Sequence, residues 1–200
     1  SRIASLGSKH ANVAVPRGRV DCSVDGAALE ALPSRGDAHV HCDHEGSNAC
    51  ALACRTAAST LADPYLALTA GWRALAGPIH GLASQVCIEF IDEIRAKLGD
   101  NPDDSAITAL VKARIDSGHV IPGFGHAVLR AMDPRYELLH AFGMKHFPDD
   151  PAMRIADGLL RVVPPLLMAT GKVANPWPNV DGISGAIMQH YGLRDYRWLT

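Results

Sequence analysis

The chain has 200 residues, of which 48% are hydrophobic, 20% charged and 6% aromatic, enough for one hydrophobic core or two small domains. Lysine and arginine number 19 against 21 aspartate and glutamate residues, and the formal net charge of -2 excludes a general cationic surface for nucleic acid or an acidic membrane. The apolar run from Ile155 to Thr170 is interrupted by Asp157, Arg161 and two prolines, so no membrane span is predicted.

The N-terminal segment, residues 1–36, differs from the rest of the chain. Its first twenty residues carry four basic residues and no acidic one, and they lack an apolar period of 3.6 residues. We predict a loop or tail here. An organellar transit peptide and a basic linker both fit this composition, and both interpretations stay open.

From Asp37 onward the pattern is helical, and nothing reads as a run of alternating strands, so the predicted fold class is all-α. Helix starts are marked by Asn48, by three Asp-Pro pairs and by Asp103 or Asp104, because these side chains cap a first turn that also tolerates proline. The predicted helices run from Asn48 to Leu61, Tyr65 to Leu75, Val86 to Leu98, Asp103 or Asp104 to Ser117, Pro134 to His146, Pro151 to Thr170 and Ser184 to Gly192.

Five cysteines are an odd number in a chain too large to depend on disulfides, so we predict free thiols in a reducing compartment. A zinc site is a further possibility, because His39, His41, Cys42, Asp43 and His44 are clustered. The absence of paired Cys-x-x-Cys or His-Glu-x-x-His spacing argues against it, and we expect no metal.

Three other segments combine a reactive side chain with glycine or proline. His80 lies between Gly77-Pro78 and Gly81, where a neutral ring can donate a hydrogen bond or simply cap a helix. The loop from Val120 to His126 contains two glycines whose amides can approach a nucleotide or phosphate closely. No strand precedes this loop, which excludes a dinucleotide-binding fingerprint.

Asp181 follows two prolines that stiffen the backbone, Pro176 and Pro178. A rigidly held carboxylate is suited to removing a proton from carbon. The same spacing also fits a structural role, in which Asp181 is the N-cap of a helix that runs from Ser184.

Six short motifs follow one another in a fixed order and together resemble the citrate synthase family of the eukaryotic, mitochondrial type. The resemblance covers about residues 37–200, whereas residues 1–36 do not resemble the family. The motifs are Asp43-His44-Glu45-Gly46-Ser47-Asn48, Leu61-Ala62-Asp63-Pro64-Tyr65-Leu66, Leu75-Ala76-Gly77-Pro78-Ile79-His80-Gly81-Leu82-Ala83, Pro122-Gly123-Phe124-Gly125-His126-Ala127-Val128-Leu129-Arg130, Asp133-Pro134-Arg135-Tyr136 and Asn175-Pro176-Trp177-Pro178-Asn179-Val180-Asp181.

The resemblance implies an all-α homodimer that condenses acetyl-CoA with oxaloacetate, without metal or redox cofactor, since acetyl-CoA is itself a substrate. It implies that residues 37–81 are part of a large domain, residues 82–192 a small domain on the coenzyme A side, and residues 193–200 the return to the large domain. It also implies a mitochondrial matrix location, with cytoplasm or peroxisome as alternatives.

The resemblance assigns roles to individual residues. Asp181 would remove a methyl proton from acetyl-CoA, His80 would donate to the thioester oxygen, and His126 would hydrogen-bond the oxaloacetate carbonyl. His44, Asn48 and Arg135 would hold oxaloacetate. The coenzyme A surface would consist of Val120, Gly123, Gly125, Arg130, Lys172 and Asn179.

The chain also departs from the family, since it lacks the helices expected before these motifs and the C-terminal sequence that supplies further arginines. We therefore expect a truncated member. The alternatives are a 2-methylcitrate synthase, which uses propionyl-CoA with the same groups, and a truncated, inactive chain that serves as an assembly module.

Overall fold

The structure is a computed structural model that describes residues 48–78, 80–126 and 129–195. Within those residues it is helical, with one isolated antiparallel bridge between Phe124 and Pro178 in place of a sheet. The all-α prediction is therefore confirmed. The helices are α1 (Ala49–Ser59), α2 (Pro64–Leu75), α3 (Ala83–Leu98), α4 (Asp104–Asp116), α5 (Pro134–His146), α6 (Pro151–Ala169) and α7 (Asp181–His190).

The predicted helix caps are largely confirmed. Each of five helices begins after a side chain that accepts a hydrogen bond from a first-turn amide, which satisfies a group with no partner inside the helix. These capping residues are Asn48 for α1, Asp63 for α2, Asp103 for α4, Asp133 for α5 and Asp150 for α6.

Two boundaries differ from prediction in ways that affect the site. The last helix begins at Asp181 and not at Ser184, and its N-cap is Val180, which makes no side-chain capping bond. The helix α3 begins at Ala83, so His80 lies in the turn before it. A third difference is that α1 ends at Ser59, because Leu61 has a positive φ of 62° that helical geometry does not allow.

The hydrophobic core is built by the five helices from α3 to α7. At its centre α6 buries one or more side chains in every turn, among them Met153, Ile155 and Val163, each 0% exposed. On α3 the apolar residues Val86, Phe90, Ile94 and Leu98 recur every four positions, which predicts one buried stripe. This is only partly confirmed: Phe90 and Ile94 are buried, but Val86 is 41% exposed.

The first two helices, α1 and α2, form a hairpin that contributes little to this core. Within the hairpin, only Ala67 and Gly71 are buried, and both belong to α2. The helices approach closely at Gly71, where an added Cβ would lie 3.1 Å from Cys54 Cβ. Exposed apolar side chains on the hairpin include Leu52, Leu66 and Trp72.

None of the helices in the described ranges is long and apolar enough to cross a membrane. The cysteines that fall within these ranges, Cys50, Cys54 and Cys87, are free thiols as predicted. Cys22 and Cys42 lie outside the described residues.

Candidate functional site

The turn that carries His80 connects the hairpin to the core helices. Its backbone is closed by hydrogen bonds from the amides of His80 and Gly81 to the carbonyl of Gly77, at 2.9 and 3.2 Å. The ring Nε2 of His80 accepts a hydrogen bond from the backbone amide of Cys50 at 3.3 Å. Because Nε2 is the acceptor, the hydrogen of a neutral ring is on Nδ1, an assignment that follows from the hydrogen bond.

The same short stretch of α1 brings Asn48 to His80. The Asn48 side chain caps α1 by accepting from the amide of Ala51 at 2.8 Å, and its Oδ1 also accepts from the Cys50 thiol at 2.8 Å. Cys50 therefore contacts both predicted site residues, through its thiol and through its backbone.

Asp181 is the first residue of α7, and the interpretation of this residue as an N-cap is wrong. Its carboxylate is directed to α3 instead, where the Ser84 hydroxyl donates to Oδ1 at 2.9 Å. Cys87 lies one turn further along α3. Burial, with a further contribution from the negative charge of Asp181, raises the pKa of the Cys87 thiol far above its ordinary value, so this thiol is neutral.

The glycine-rich loop, residues 121–126, packs against the segment that leads into Asp181. The amide of Gly125 donates to the Trp177 carbonyl at 2.9 Å, and the Asn179 side-chain amide donates to the Gly125 carbonyl at 2.9 Å. Asn179 Oδ1 in turn accepts from the Asp181 amide at 3.0 Å. Gly123, Gly125, Asn179 and Asp181, four residues predicted from the sequence, are thus joined in one hydrogen-bonded unit.

Gly123 has a positive φ of 77° and lies directly against α7. A Cβ at this position would be 2.6 Å from the Cα of Gly182 and 3.1 Å from the Cys87 Sγ. Both the backbone conformation and the available space therefore require glycine here.

His126 ends the same loop. Its Nδ1 accepts a hydrogen bond from the Leu129 amide at 2.9 Å, so the hydrogen of a neutral ring is on Nε2. The neighbouring Arg130 lies exposed and donates through Nη1 to the Leu129 carbonyl at 3.0 Å.

Arg135 is held by Asp133, which is only 1% exposed. The guanidinium donates through Nε to Oδ1 at 3.0 Å and through Nη2 to Oδ2 at 2.8 Å. Oδ2 also accepts from the amide of Val180 at 3.2 Å, which ties Arg135 to the residue before Asp181.

The charge of Asp133 is stabilised by these donors. Burial alone would raise the pKa of the carboxyl, but hydrogen bonds from the Arg135 side chain and from the amides of Arg135 and Val180 outweigh burial and hold the pKa below its ordinary value. Asp133 is therefore an anion that orders both an arginine and the segment leading into Asp181.

The remaining predicted residues have fewer contacts with the rest of the predicted site. Val120 is 82% exposed, and its carbonyl accepts from Arg114 Nε at 3.1 Å. Lys172 lies exposed in the turn after α6, where its amide donates to the Thr170 hydroxyl at 3.3 Å. His44 and the other clustered ligands, His39 to Asp43, lie outside the described residues, so the prediction about zinc stays a prediction. Residues 48–78, 80–126 and 129–195 hold no group of three or more metal-ligating side chains.

Sequence reasoning missed four residues that hold the predicted ones in place: Ser84, Ser184, Cys50 and Asp133. Two of them carry a weak local signal, since Ser84 follows His80 by four residues and Asp133 precedes Arg135 by two. The contact of Ser84 with Asp181 spans 97 positions, and no spacing rule would have predicted it.

Comparison with known proteins identifies the family. The family described as "Citrate synthase, C-terminal domain" matches residues 37–198. A protein named "Probable citrate synthase, mitochondrial" from Glossina morsitans morsitans is 43% identical over 161 residues, which are 80% of this chain and 35% of that protein. Citrate synthase, mitochondrial, from Daucus carota is 45% identical over 161 residues, again 80% of this chain and 34% of the relative. The chain thus spans about a third of the length of these curated relatives.

Solved structures give the same result. A citrate synthase from Thermotoga maritima superposes with a TM-score of 0.63 and 29% identity, covering 78% of this chain and 40% of that one. The citrate synthase of Thermoplasma acidophilum, in a ternary complex with carboxymethyl coenzyme A and oxaloacetate, has a TM-score of 0.60 and 31% identity, covering 75% and 38% of the two chains. On the extent of the matched sequence and on its fold, the chain belongs to the citrate synthase family.

Proposed function

We propose that this chain carries the groups for condensing acetyl-CoA with oxaloacetate and water to give citrate and coenzyme A. The observation that carries the proposal is the position of Asp181 at the start of α7, joined by Ser84 to the segment that bears His80. A base and a hydrogen-bond donor on connected elements are what deprotonation next to a carbonyl requires. The names of the relatives and the ligands of the Thermoplasma acidophilum complex support the same reaction.

In this proposal Asp181 removes a proton from the methyl group of acetyl-CoA. A carboxylate is too weak a base to do so unaided, and the negative charge that develops on the thioester oxygen needs a donor. His80 supplies that donor through Nδ1, since Nε2 is already engaged by the Cys50 amide. A positioned donor of this kind contributes about 3–4 kcal/mol to transition-state stabilisation.

His126 activates the second substrate. With Nδ1 accepting from Leu129, its Nε2–H is the group that hydrogen-bonds the ketone oxygen of oxaloacetate and favours attack on the carbonyl carbon. His44, Asn48 and Arg135 hold the oxaloacetate carboxylates and carbonyl. Asp133 occupies Nε and Nη2 of Arg135 and so fixes the orientation of the cationic group that would meet a carboxylate of oxaloacetate.

Coenzyme A would lie along the glycine-rich loop and its neighbours. Val120, Gly123, Gly125 and Asn179 would form the surface against which the adenine and the pantetheine arm lie, while Arg130 and Lys172 would supply positive charge for the phosphates. Acetyl-CoA is a substrate in this scheme, and no additional cofactor is part of the proposal.

Two alternatives share these residues. A 2-methylcitrate synthase would use propionyl-CoA with the same base and donors, and a truncated chain without turnover would serve as an assembly module. The mitochondrial relatives favour citrate as the product and the mitochondrial matrix as the location, over cytoplasm or peroxisome.

We further propose that the partner of the chain is a second copy, in a homodimer. The hairpin of α1 and α2 supports this, because Leu66 is 65% and Trp72 62% exposed while only two of its residues are buried. Exposed apolar side chains grouped on one element are typical of an association surface.

The test of the reaction is release of the coenzyme A thiol from acetyl-CoA, with and without oxaloacetate. Asp181→Ala is the control, because it leaves the five cysteines of the chain unchanged while removing the base. We expect oxaloacetate-dependent release that falls by about 100- to 10,000-fold in the variant. Equal rates in the two proteins would refute the assignment of Asp181, faster release from propionyl-CoA would favour methylcitrate, and no release from either thioester would identify the inactive alternative.

A further inference from the structure

Asp181 is held in place by two serine hydroxyls on different helices. Ser84 Oγ, in the first turn of α3, donates to Asp181 Oδ1 at 2.9 Å, and it lies 3.0 Å from Ser184 Oγ in the first turn of α7. Ser184 is only 3% exposed, so this contact is shielded from water. The two hydroxyls and the carboxylate form a short hydrogen-bonded chain across the packed pair of α3 and α7.

The direction of the hydrogen bonds follows from counting hydrogens. An ionised carboxylate only accepts, and a serine hydroxyl has one hydrogen, so the Ser84 hydrogen is used on Asp181. Ser84 Oγ can then interact with Ser184 only by accepting, and the Ser184 hydroxyl is the donor. The chain therefore runs from Ser184 through Ser84 to Oδ1, and it fixes one carboxylate oxygen.

The contacts of this carboxylate are with neutral groups. In the described ranges no lysine, arginine or histidine forms an ion pair with Asp181, and the nearby Cys87 thiol is uncharged. A cation at this point would orient the carboxylate but would also make it a weaker base. A neutral hydroxyl orients the carboxylate without placing a charge beside it.

We infer that Ser84, supported by Ser184, is the positioning residue that fixes Asp181 and leaves Oδ2 as the oxygen that accepts the substrate proton. The inference rests on the proposed function. Ser84 follows His80 by four residues, so this hydrogen bond also connects Asp181 to the segment that bears His80. Oδ1 is occupied by the Ser84 hydroxyl, and within the described residues no hydrogen bond engages Oδ2.

The first part of the test is kinetic. Ser84→Ala removes the hydroxyl, Ser84→Thr retains one, and Ser105→Ala is the matched control, because Ser105 is also the second residue of its helix but is exposed. A misplaced catalytic group costs about 100-fold, so we expect kcat to fall by about 10- to 100-fold in Ser84→Ala with KM for acetyl-CoA nearly unchanged. Ser84→Thr should recover most of kcat, and Ser105→Ala should match the unaltered chain.

The second part needs no turnover. Ser84→Ala is introduced into the unaltered chain and into Asp181→Ala, and the unfolding temperature is measured for all four proteins. If the hydroxyl acts on Asp181, the substitution lowers Tm by about 3 °C in the first background and by clearly less in the second, where only the contact with Ser184 is lost.

The outcomes separate this inference from the proposed function. Equal Tm changes in the two backgrounds overturn the inference, as does an unchanged kcat in Ser84→Ala. If the unaltered chain releases no coenzyme A, the proposed function fails for this chain, and the Tm comparison alone decides whether Ser84 fixes Asp181.

Discussion

At the residue scale, Asp133 shows how one buried charge organises a site. Its carboxylate receives the Arg135 guanidinium, the Arg135 amide at 3.0 Å and the Val180 amide at 3.2 Å. It caps α5 and at the same time secures the segment that leads into Asp181. Removing one member of such a buried network leaves polar groups of the other members without that hydrogen-bond partner. This lowers the free energy of unfolding more than replacing all members by apolar groups does.

Asp133→Asn should therefore destabilise the protein in a pH-dependent way. Hydrogen bonding holds the pKa of Asp133 below its ordinary value, so its stabilising charge is fully present above about pH 4 and is lost as pH falls through the lowered pKa. We expect the variant to lose about 2–3 kcal/mol at pH 7. The difference from the unaltered chain should shrink as the pH falls below about 4.

Urea unfolding at several pH values measures this difference. Asp100→Asn is the control, because Asp100 is an exposed partner of Arg95 and its loss should change stability far less. A difference between Asp133→Asn and the unaltered chain that stays constant from pH 7 to pH 2 would contradict the argument.

At the element scale, the contact that matters is that of the glycine-rich loop with the first turn of α7. The amide of Asn179 donates to the Gly123 carbonyl at 2.9 Å, and the Cα atoms of Gly123 and Gly182 leave no room for a side chain between them. The loop and the start of α7, which carries Asp181, are therefore packed together, and a substitution that shifts one of them displaces the other.

Gly123→Ala tests this contact. The substitution adds both an unfavourable backbone conformation and a clash with the backbone of Gly182, and we expect a loss of more than about 3 kcal/mol in urea unfolding. Gly118→Ala is the matched control: Gly118 has a φ of 80°, but nothing lies within 4 Å of an added Cβ. This control should lose only about 1–2 kcal/mol, and equal losses would show that backbone conformation alone explains both.

The sequence was sufficient to predict the helices but not the contacts between them. Asp-Pro pairs and Asn48 predicted where helices begin, because capping is local chemistry. Nothing local distinguishes an aspartate that caps a helix from one that faces a neighbouring helix, so Asp181 had two interpretations. The start of α7 at Asp181 rules out the N-cap, and the Ser84 hydroxyl that Asp181 contacts lies 97 positions away.

At the scale of the whole molecule, the described helices differ in how they are buried. The helices from α3 to α7 enclose a shared core, whereas the hairpin of α1 and α2 packs mainly on itself and leaves Leu66 and Trp72 exposed. His80 lies between the two parts and is held by an amide of the hairpin. If a second copy of the chain covered the hairpin, it would therefore also hold the Cys50 amide and His80, the proposed donor, in place.

Leu66→Lys should weaken self-association if the hairpin is the surface between two copies. In sedimentation velocity we expect the unaltered chain to sediment faster as its concentration rises, and the variant to remain monomeric over the same range. Met168→Lys is the control, since Met168 is 53% exposed but belongs to α6 in the core region. Identical sedimentation of all three proteins at every concentration would contradict a role for the hairpin.

The paired hydrogen bonds between Asp133 and Arg135 also bear on the proposed binding of oxaloacetate. A free arginine side chain loses about 2 kcal/mol of rotamer entropy when it is fixed, and here that loss occurs during folding. If Arg135 holds a carboxylate of oxaloacetate as proposed, that carboxylate meets a guanidinium whose position is already fixed by Asp133. In the proposed reaction, less entropy would then be lost when oxaloacetate binds.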